Sequence, residues 1–199
     1  MNHAINKYDW QYIVIFFILI SIFIFTDILG IFEKKSLYYL PGIISHQPHR
    51  ILTYSLIHAD LNHLISNLGG IVITRYFLQQ LGLKNKYFYL QFIMIFLIFN
   101  FVIIWIYDRA LFYFFNIIPN YAFLGFSGII YAFLGFLLLT SFFGKSYFLG
   151  IKINLKRDYQ IQKLSKTICL ISLIFSFMPR VSLVGHLSGF LTGCFLFVL

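Results

Sequence analysis

Acidic residues, cysteines and charges in general are scarce in this sequence. Of its 199 residues, 6 are Asp or Glu and 2 are Cys, and charged residues make up 11% of the chain. A soluble globular domain carries about 25% charged residues, so this chain lacks the polar side chains that a water-facing surface needs. A soluble enzyme is therefore excluded. The two cysteines, Cys169 and Cys194, lie inside apolar runs without metal-site spacing, and we expect both to pack between helices.

Long apolar runs are what the sequence has instead, since 60% of its residues are hydrophobic and 26 are Phe. About 20 apolar residues cross a hydrocarbon core roughly 30 Å thick. We therefore predict an all-α polytopic membrane protein, with a short cytoplasmic tail over 1–10 and a single six-helix domain over 11–199. The fifth run is short for a span, with 13 uncharged residues between Lys166 and Arg180. The predicted spans are 11–31, 61–81, 87–107, 126–143, 165–177 and 183–199.

The basic residues lie mostly in the gaps between these runs. A formal net charge of +9 would indicate a nucleic-acid partner in a soluble protein, but between membrane spans basic residues indicate orientation. We expect a multi-pass protein of the bacterial cytoplasmic membrane with both termini in the cytoplasm and no nucleic-acid partner. Ten of the 15 basic residues then face inward, namely Lys7, Arg75, Lys84, Lys86, Lys145, Lys152, Lys156, Arg157, Lys163 and Lys166, and Lys34, Lys35, Arg50, Arg109 and Arg180 face outward. Arg75 lies within the second span, close enough to its cytoplasmic end to extend to the interface.

Two connections differ from ordinary loops. The segment 32–60 mixes charges, prolines and apolar residues, and we expect it to lie half-submerged at the outer surface with its backbone groups satisfied internally. The segment 110–125 is rich in Phe but contains Asn116, Pro119 and Asn120. We predict that it is a loop that enters the membrane and packs on protein, and not a spanning helix.

Polar side chains occur in the first turns of spans two, four and six. In the predicted orientation these three spans all begin at the outer surface, so His63, Asn67, Ser127 and His186 lie at one depth. Ionisable and polar residues inside membrane spans are costly and mark functional sites. The sequence therefore predicts a shared cavity just below the outer surface.

Serine with histidine is the minimum unit for acyl transfer, because a base must take the serine proton. No acidic residue lies on spans four or six, so we expect a dyad of Ser127 and His186 without a carboxylate. Tyr131, one turn after Ser127, is placed to stack on His186. Gly125 lets the chain turn into the helix at whose positive end Ser127 lies. His63 and Asn67, four residues apart, add two side-chain donors on one helix face.

Small residues predict close contact between spans four and six. Gly128, Ala132 and Gly135 lie on one side of span four, and a second row repeats every four residues in span six. Such rows allow helix backbones to approach each other in membranes. Because the second row flanks His186, close packing would bring its imidazole near Ser127. The second row consists of Gly185, Gly189 and Gly193.

Three segments together resemble the rhomboid intramembrane serine proteases: HADLNHLISN over 58–67, GFSGIIY over 125–131 and GHLSGFLTG over 185–193. Their order and spacing are similar to the family's from Arg50 to the C-terminus. The family's usual Trp-Arg pair in the first loop is here His49-Arg50, and the acidic residue often found near the cytoplasmic end of the second helix is missing, with Gln79 nearby.

The resemblance implies an enzyme that cleaves transmembrane segments of single-pass or other membrane proteins within the lipid bilayer. It implies Ser127 as nucleophile, His186 as general base, and an oxyanion site formed by the Ser127 backbone N–H with His63 and Asn67. It also implies that the first loop is the family's membrane-embedded loop and that span five is the mobile gate for substrate helices. No cofactor and no metal are expected.

Two other functions remain open from the sequence. A non-catalytic rhomboid-like protein would bind or displace transmembrane clients, although such proteins typically lack the Ser or the His. A metal or proton transporter would use His58, His63 and His186, but the chain lacks the intramembrane carboxylates expected of such relays. We expect His58 to be a structural residue that bonds the first loop.

Overall fold

The computed structural model describes residues 9–41, 46–80, 87–117, 122–143, 145–148, 151–154, 159–177 and 181–198. Six of its helices have fourteen or more residues and coincide with the six predicted runs, which confirms the predicted helical bundle. Two of these, Trp10–Ile28 with its terminal π turn and Phe88–Phe115, are long and apolar enough to cross a membrane. The long helices are α1 (Trp10–Phe23), α3 (Leu61–Gln80), α4 (Phe88–Phe115), α5 (Ser127–Phe143), α6 (Tyr159–Phe175) and α7 (Leu183–Leu196).

The shorter elements lie at the ends of these helices. A π turn over Ile24–Ile28 extends α1, and a 3₁₀ turn over Lys34–Ser36 and a short helix α2 (Arg50–Thr53) lie in the first loop. Between α5 and α6, strands β1 (Lys145–Phe148) and β2 (Ile151–Asn154) form an antiparallel hairpin. No pattern in the sequence predicted these strands.

Helix α4 is longer than predicted. It continues to Phe115, so the first six residues of the predicted membrane-entering loop, 110–115, are helical. The helix ends at Asn116, whose φ of 51° is left-handed, a conformation that Asn adopts more readily than other non-glycine residues. The reason is that no helix-breaking residue occurs before Asn116. Pro119 and Asn120, on which the loop prediction rested, lie outside the described residues.

Helix α6 begins at Tyr159, six residues before the predicted start of the fifth span. The predicted start at Ser165 was placed beside the charged residue Lys166, but charge limits only the apolar part of a helix and not the helix itself. Helix α6 therefore has 17 residues, and its regular part ends at Phe175. Most of the predicted tail over 1–10, and the predicted span ends Leu81 and Leu199, lie outside the described residues.

Helix α5 is the centre of the bundle. All residues from Ile129 to Leu137 are buried, and a helix buried all round must be enclosed by other helices. Helix α7 is its main partner. Helix α4 packs on it through aromatic rings, with Phe92 stacked on Phe133 at 4.1 Å between centroids and Tyr89 stacked on the same ring at 4.6 Å. The site residues on α5 thus stand on the most enclosed element.

Both cysteines pack between helices, as predicted. The thiol of Cys169 on α6 is buried and donates to the carbonyl of Leu134 on α5 at 3.3 Å. The thiol of Cys194 on α7 lies 3.8 Å from the carbonyl of Gly135. Both are free thiols.

Helix α1 is joined to α3 by an ion pair that the sequence analysis did not predict. Arg75 donates to both carboxylate oxygens of Asp9, at 3.0 Å from Nε and 2.6 Å from Nη2. Asp9 is 3% exposed, and Gln79 lies 3.5 Å from the same carboxylate. The charge of Arg75 is thus neutralised by Asp9, the residue before α1, and the side chain does not need to reach water for this.

The first loop is held by Arg50, which is 4% exposed. Its guanidinium donates to the carbonyls of Lys35 and Tyr38 and to Oε1 of Gln47. Thr53 donates to the carbonyl of Leu37 at 2.7 Å. The carbonyls of Lys35, Leu37 and Tyr38 are therefore satisfied from within the loop, in line with the expectation for this part of it.

Candidate active site

Helix α5 begins at Ser127, directly after a turn that requires glycine. Gly125 has a φ of 103°, and its N–H donates to the carbonyl of Tyr54 at 2.9 Å. A Cβ at Gly125 would lie 2.6 Å from Cε1 of His63 and 3.3 Å from Nδ2 of Asn67. Both the backbone conformation and the space therefore exclude a side chain, and the two residues of α3 reach the start of α5.

His63 presents a donor to this position. Its Nδ1 accepts from the N–H of Ala59 at 3.3 Å, which places the proton of the neutral ring on Nε2. That Nε2 lies 2.7 Å from the Cβ position of Gly125. Asp60 fixes the start of α3 by accepting from the N–H of His63 at 2.8 Å.

Asn67 presents a second donor. The residue is 4% exposed, and its Nδ2 has no hydrogen-bond partner in the described part of the chain. A buried donor without a partner costs about 1–3 kcal/mol, and such groups are rare in folded proteins. An unpaired amide beside the start of α5 is what an anion-stabilising site needs before its ligand arrives.

The glycine rows of α5 and α7 meet as predicted at Gly189 and Gly193, whereas a Cβ at Gly185 would meet Ser182 and Phe123. A Cβ at Gly189 would lie 2.3 Å from the carbonyl oxygen of Gly128, and one at Gly193 would lie 1.9 Å from that of Ala132. A Cβ at Gly135 would lie 2.3 Å from the carbonyl oxygen of Phe190. Backbone contact therefore runs along the interface and begins at Gly128, the neighbour of Ser127.

His186 lies on the first turns of α7, which Ser182 caps by accepting from the N–H of Gly185 at 3.2 Å. Its ring stacks on Tyr131 with a centroid distance of 4.0 Å and an interplanar angle of 18°, the arrangement expected from the sequence. Ser127 and His186 are not hydrogen bonded to each other in the structure. Catalytic hydrogen bonds are often long without substrate and tighten only in the complex.

Ser176 is a neighbour of His186 that the sequence analysis missed. Its hydroxyl lies 3.1 Å from Nδ1 of His186 and 3.0 Å from the hydroxyl of Tyr131. Ser176 could have been identified from the sequence by its position near the outer end of the fifth span, at the depth of the other polar residues. Its four-residue spacing from Ser172 also placed two serines on one face.

His58 lies buried beside His63. The residue is 0% exposed, and neither ring nitrogen has a hydrogen-bond partner among the residues described. The structural role expected for His58 in the first loop therefore stays a prediction. The ring of His58 meets His63 edge to face at 5.2 Å between centroids. Burial lowers the pKa of His58 to about 4, so the ring is neutral at neutral pH.

Three polar contacts that were not predicted join the first loop to α4 and to the segment before α5. Tyr39 pairs through its backbone with Phe123 and donates its hydroxyl to Asp108 on α4. Burial raises the pKa of Tyr39 well above its ordinary value, which keeps this hydroxyl protonated. Asn100 on α4 donates to the hydroxyl of Tyr54 at 3.0 Å. Asn100 could have been singled out from the sequence, because it is a polar residue within the predicted third span.

Comparison with known families assigns the chain to a family. The model of the Rhomboid domain matches residues 45–199, which include α2 to α7 and every site residue predicted from the sequence. The chain therefore belongs to the rhomboid family and is an integral membrane protein. Comparison with curated proteins found no match. Within the described part of the chain, no group of three or more His, Cys, Asp or Glu side chains is placed to hold a metal ion.

Proposed function

We propose that this chain is an intramembrane serine endopeptidase that cleaves transmembrane segments of membrane proteins, with Ser127 as nucleophile and His186 as general base. The contact between α5 and α7 beside Ser127 carries the proposal. Gly189 lies against the backbone of Gly128, and His186 lies one turn before Gly189. A serine becomes an effective nucleophile when a neighbouring base takes its proton, and this contact brings an imidazole to that end of α5.

The proposed reaction is acyl transfer in two steps. The Oγ of Ser127 attacks the carbonyl carbon of the scissile bond while its proton passes to Nε2 of His186. The C–N bond then breaks, and His186 returns that proton to the leaving amine. Water attacks the resulting ester with His186 again as base, which releases the acid product and restores the serine hydroxyl. This chemistry uses no cofactor.

The oxyanion of each tetrahedral intermediate would be stabilised by the Ser127 backbone N–H, Nε2–H of His63 and Nδ2–H of Asn67. The first N–H groups of a helix have no partner within it, and α5 begins at Ser127. The unpaired Nδ2 of Asn67 and the proton on Nε2 of His63 support this assignment. Gly125, Gly128, Gly189, Gly193, Tyr131 and His58 support these groups by allowing close approach or by packing on the two histidines.

The proposed substrates are single-pass or other transmembrane proteins, which reach the site through the lipid bilayer. Such substrates fit a site built between helices whose outward faces are apolar, for example Ile98 and Leu191, which are 60% and 58% exposed. We further propose that residues 11–199 form one membrane domain after a cytoplasmic tail over 1–10.

Covalent labelling tests the enzyme assignment. We expect the purified protein to react with a fluorophosphonate probe at Ser127, located by mass spectrometry, and to cleave a single-pass membrane protein in proteoliposomes. Ser141→Ala removes a buried serine hydroxyl from the other end of α5 and should leave labelling unchanged. If the folded protein binds transmembrane clients but neither labels nor cleaves, it is a non-catalytic member of the family and the protease assignment is wrong.

Orientation is a separate prediction. Ten of the 15 basic residues lie inside if both termini are cytoplasmic, so reporter fusions at residues 155 and 45 should report opposite compartments, with 155 in the cytoplasm. Changing the lysines at 152, 156 and 163 to glutamine should weaken this preference. Two fusions that report the same compartment would contradict the orientation.

A further inference from the structure

Ser176 lies where three helices meet around His186. It follows the last residue of α6, is 1% exposed, and its hydroxyl lies 3.1 Å from Nδ1 of His186 on α7. The same hydroxyl lies 3.0 Å from the hydroxyl of Tyr131 on α5 and 3.1 Å from the carbonyl oxygen of Ser172. Tyr131 also stacks its ring on His186. The imidazole of His186 thus contacts the Tyr131 ring through its face and the Ser176 hydroxyl through Nδ1.

Counting protons decides the direction of these hydrogen bonds. The Tyr131 hydroxyl donates its only proton to the carbonyl of Ser172, so toward Ser176 it can act only as an acceptor. If Ser176 donates to Tyr131 or to the Ser172 carbonyl, its oxygen is free to accept from an N–H at Nδ1 of His186, and three hydrogen bonds form. If Ser176 donates to Nδ1 instead, only two form. The network therefore favours the tautomer with the proton on Nδ1.

We propose that Ser176 is a positioning residue that accepts a hydrogen bond from Nδ1–H of His186 and so keeps the lone pair on Nε2 for the Ser127 proton. This inference rests on the proposed function and deepens it. In a Ser-His-Asp triad a carboxylate holds the same ring nitrogen. Here none of the six acidic residues of the sequence lies in α5, α6 or α7. A hydroxyl carried by the end of α6 takes that place.

The arrangement makes the base depend on the position of α6. Ser176 and the Ser172 carbonyl belong to the α6 chain, whereas His186 and Tyr131 belong to α7 and α5. Separating the end of α6 from α7 would remove the acceptor from Nδ1, and the imidazole would then be free to carry its proton on Nε2. A ring in that tautomer cannot accept the proton of Ser127.

The test combines a spectroscopic readout with kinetics. Protein labelled with ¹⁵N-histidine reports which ring nitrogen carries the proton, and the signal of His186 is identified by its loss in His186→Gln. We expect protonated Nδ1 in the wild type and a mixture of tautomers in Ser176→Ala. The kcat for cleavage should fall about 10- to 100-fold in Ser176→Ala with little change in KM, because one buried hydrogen bond to the base is lost.

Two variants separate this role from simple packing. Ser176→Thr keeps a hydroxyl and should restore both the tautomer and most of kcat. Ser165→Ala removes another hydroxyl that is 1% exposed and bonded to a carbonyl within α6, at Gln162, and should change neither quantity. An equal loss of kcat in Ser165→Ala would show that Ser176 acts only by packing and not by positioning His186.

The wild-type spectrum alone is decisive if Ser176→Ala does not fold, because a proton on Nε2 of His186 would overturn the proposal. The tautomer readout also distinguishes two kinds of failure. If the chain neither labels nor cleaves but the tautomer shifts in Ser176→Ala, the proposed function fails and the contact stands. If Ser127 and His186 are essential but the tautomer does not respond, the proposed function stands and Ser176 has no positioning role.

Discussion

Replacing Ser127 or His186 by alanine should abolish cleavage, and the double replacement should be no worse than either single one. The two side chains act as a unit, because the nucleophile is weak without its base and the base has no proton to accept without the nucleophile. We expect each change to lower kcat/KM by about 10⁴-fold or more. The measurement is cleavage of a transmembrane substrate in proteoliposomes, with thermal stability recorded for each variant.

Replacing the two oxyanion donors should lower the cleavage rate less than replacing Ser127 or His186. His63→Ala and Asn67→Ala each remove one donor, and loss of one such donor typically lowers the rate by about 10² to 10³-fold. Both variants should therefore keep measurable activity and a folded bundle. Asn67→Ala should not lower stability by breaking a hydrogen bond, since its Nδ2 has no partner in the described structure. Cleavage that persists in Ser127→Ala would refute the assignment of the nucleophile.

Gly193→Ala should lower the stability of the protein more than Gly69→Ala or Gly189→Ala. The new Cβ would lie 1.9 Å from the carbonyl oxygen of Ala132, and the next two atoms, at 2.6 and 2.7 Å, are also backbone of Ala132. Backbone cannot move aside as a flexible side chain can, so α7 must shift away from α5. Overpacking a core usually costs about 1–3 kcal/mol, and we expect at least the upper end of that range.

A glycine in open space is the matched control. Gly69 lies within α3, and a Cβ there would meet nothing within 4 Å. Gly69→Ala should therefore leave thermal stability in detergent unchanged or raise it, because alanine favours a helix over glycine by about 0.5–1 kcal/mol. Gly189→Ala, whose Cβ would lie 2.3 Å from the Gly128 carbonyl oxygen beside Ser127, should lower both stability and cleavage. Wild-type stability in Gly193→Ala would disprove the close contact of the two helices.

The structure shows hydrogen bonds of the Tyr131 hydroxyl that the sequence did not predict. From the sequence, Tyr131→Phe should cost little because the ring that stacks on His186 is kept. The hydroxyl, however, donates to the carbonyl of Ser172 and accepts from Ser176. The contact with Ser176 joins two residues 45 positions apart that no helical period relates, so no sequence pattern assigned the hydroxyl a role.

Helix positions followed from the sequence because uncharged apolar runs and helix periodicity are local properties. The predicted spans match α1, α3, α4, α5, α6 and α7 in number and order. The errors fell at ends: α4 continues to Phe115 and α6 starts at Tyr159, because the edge of an apolar run marks where a lipid environment ends and not where the helical hydrogen bonds end. The paired strands β1 and β2 were missed, since strands of four residues are too short to show a clear periodic pattern.

The sequence by itself determined which side chains could take part in chemistry, because a serine, a histidine or an asparagine inside an apolar span is costly and so is visible as an exception. The glycine rows also showed that α5 and α7 could approach. Tertiary structure alone decided which groups surround the base. Ser176, like Arg50 in the first loop, is recognised only when elements far apart in sequence are packed together, because hydrogen bonds depend on distance and direction in space and not on separation along the chain.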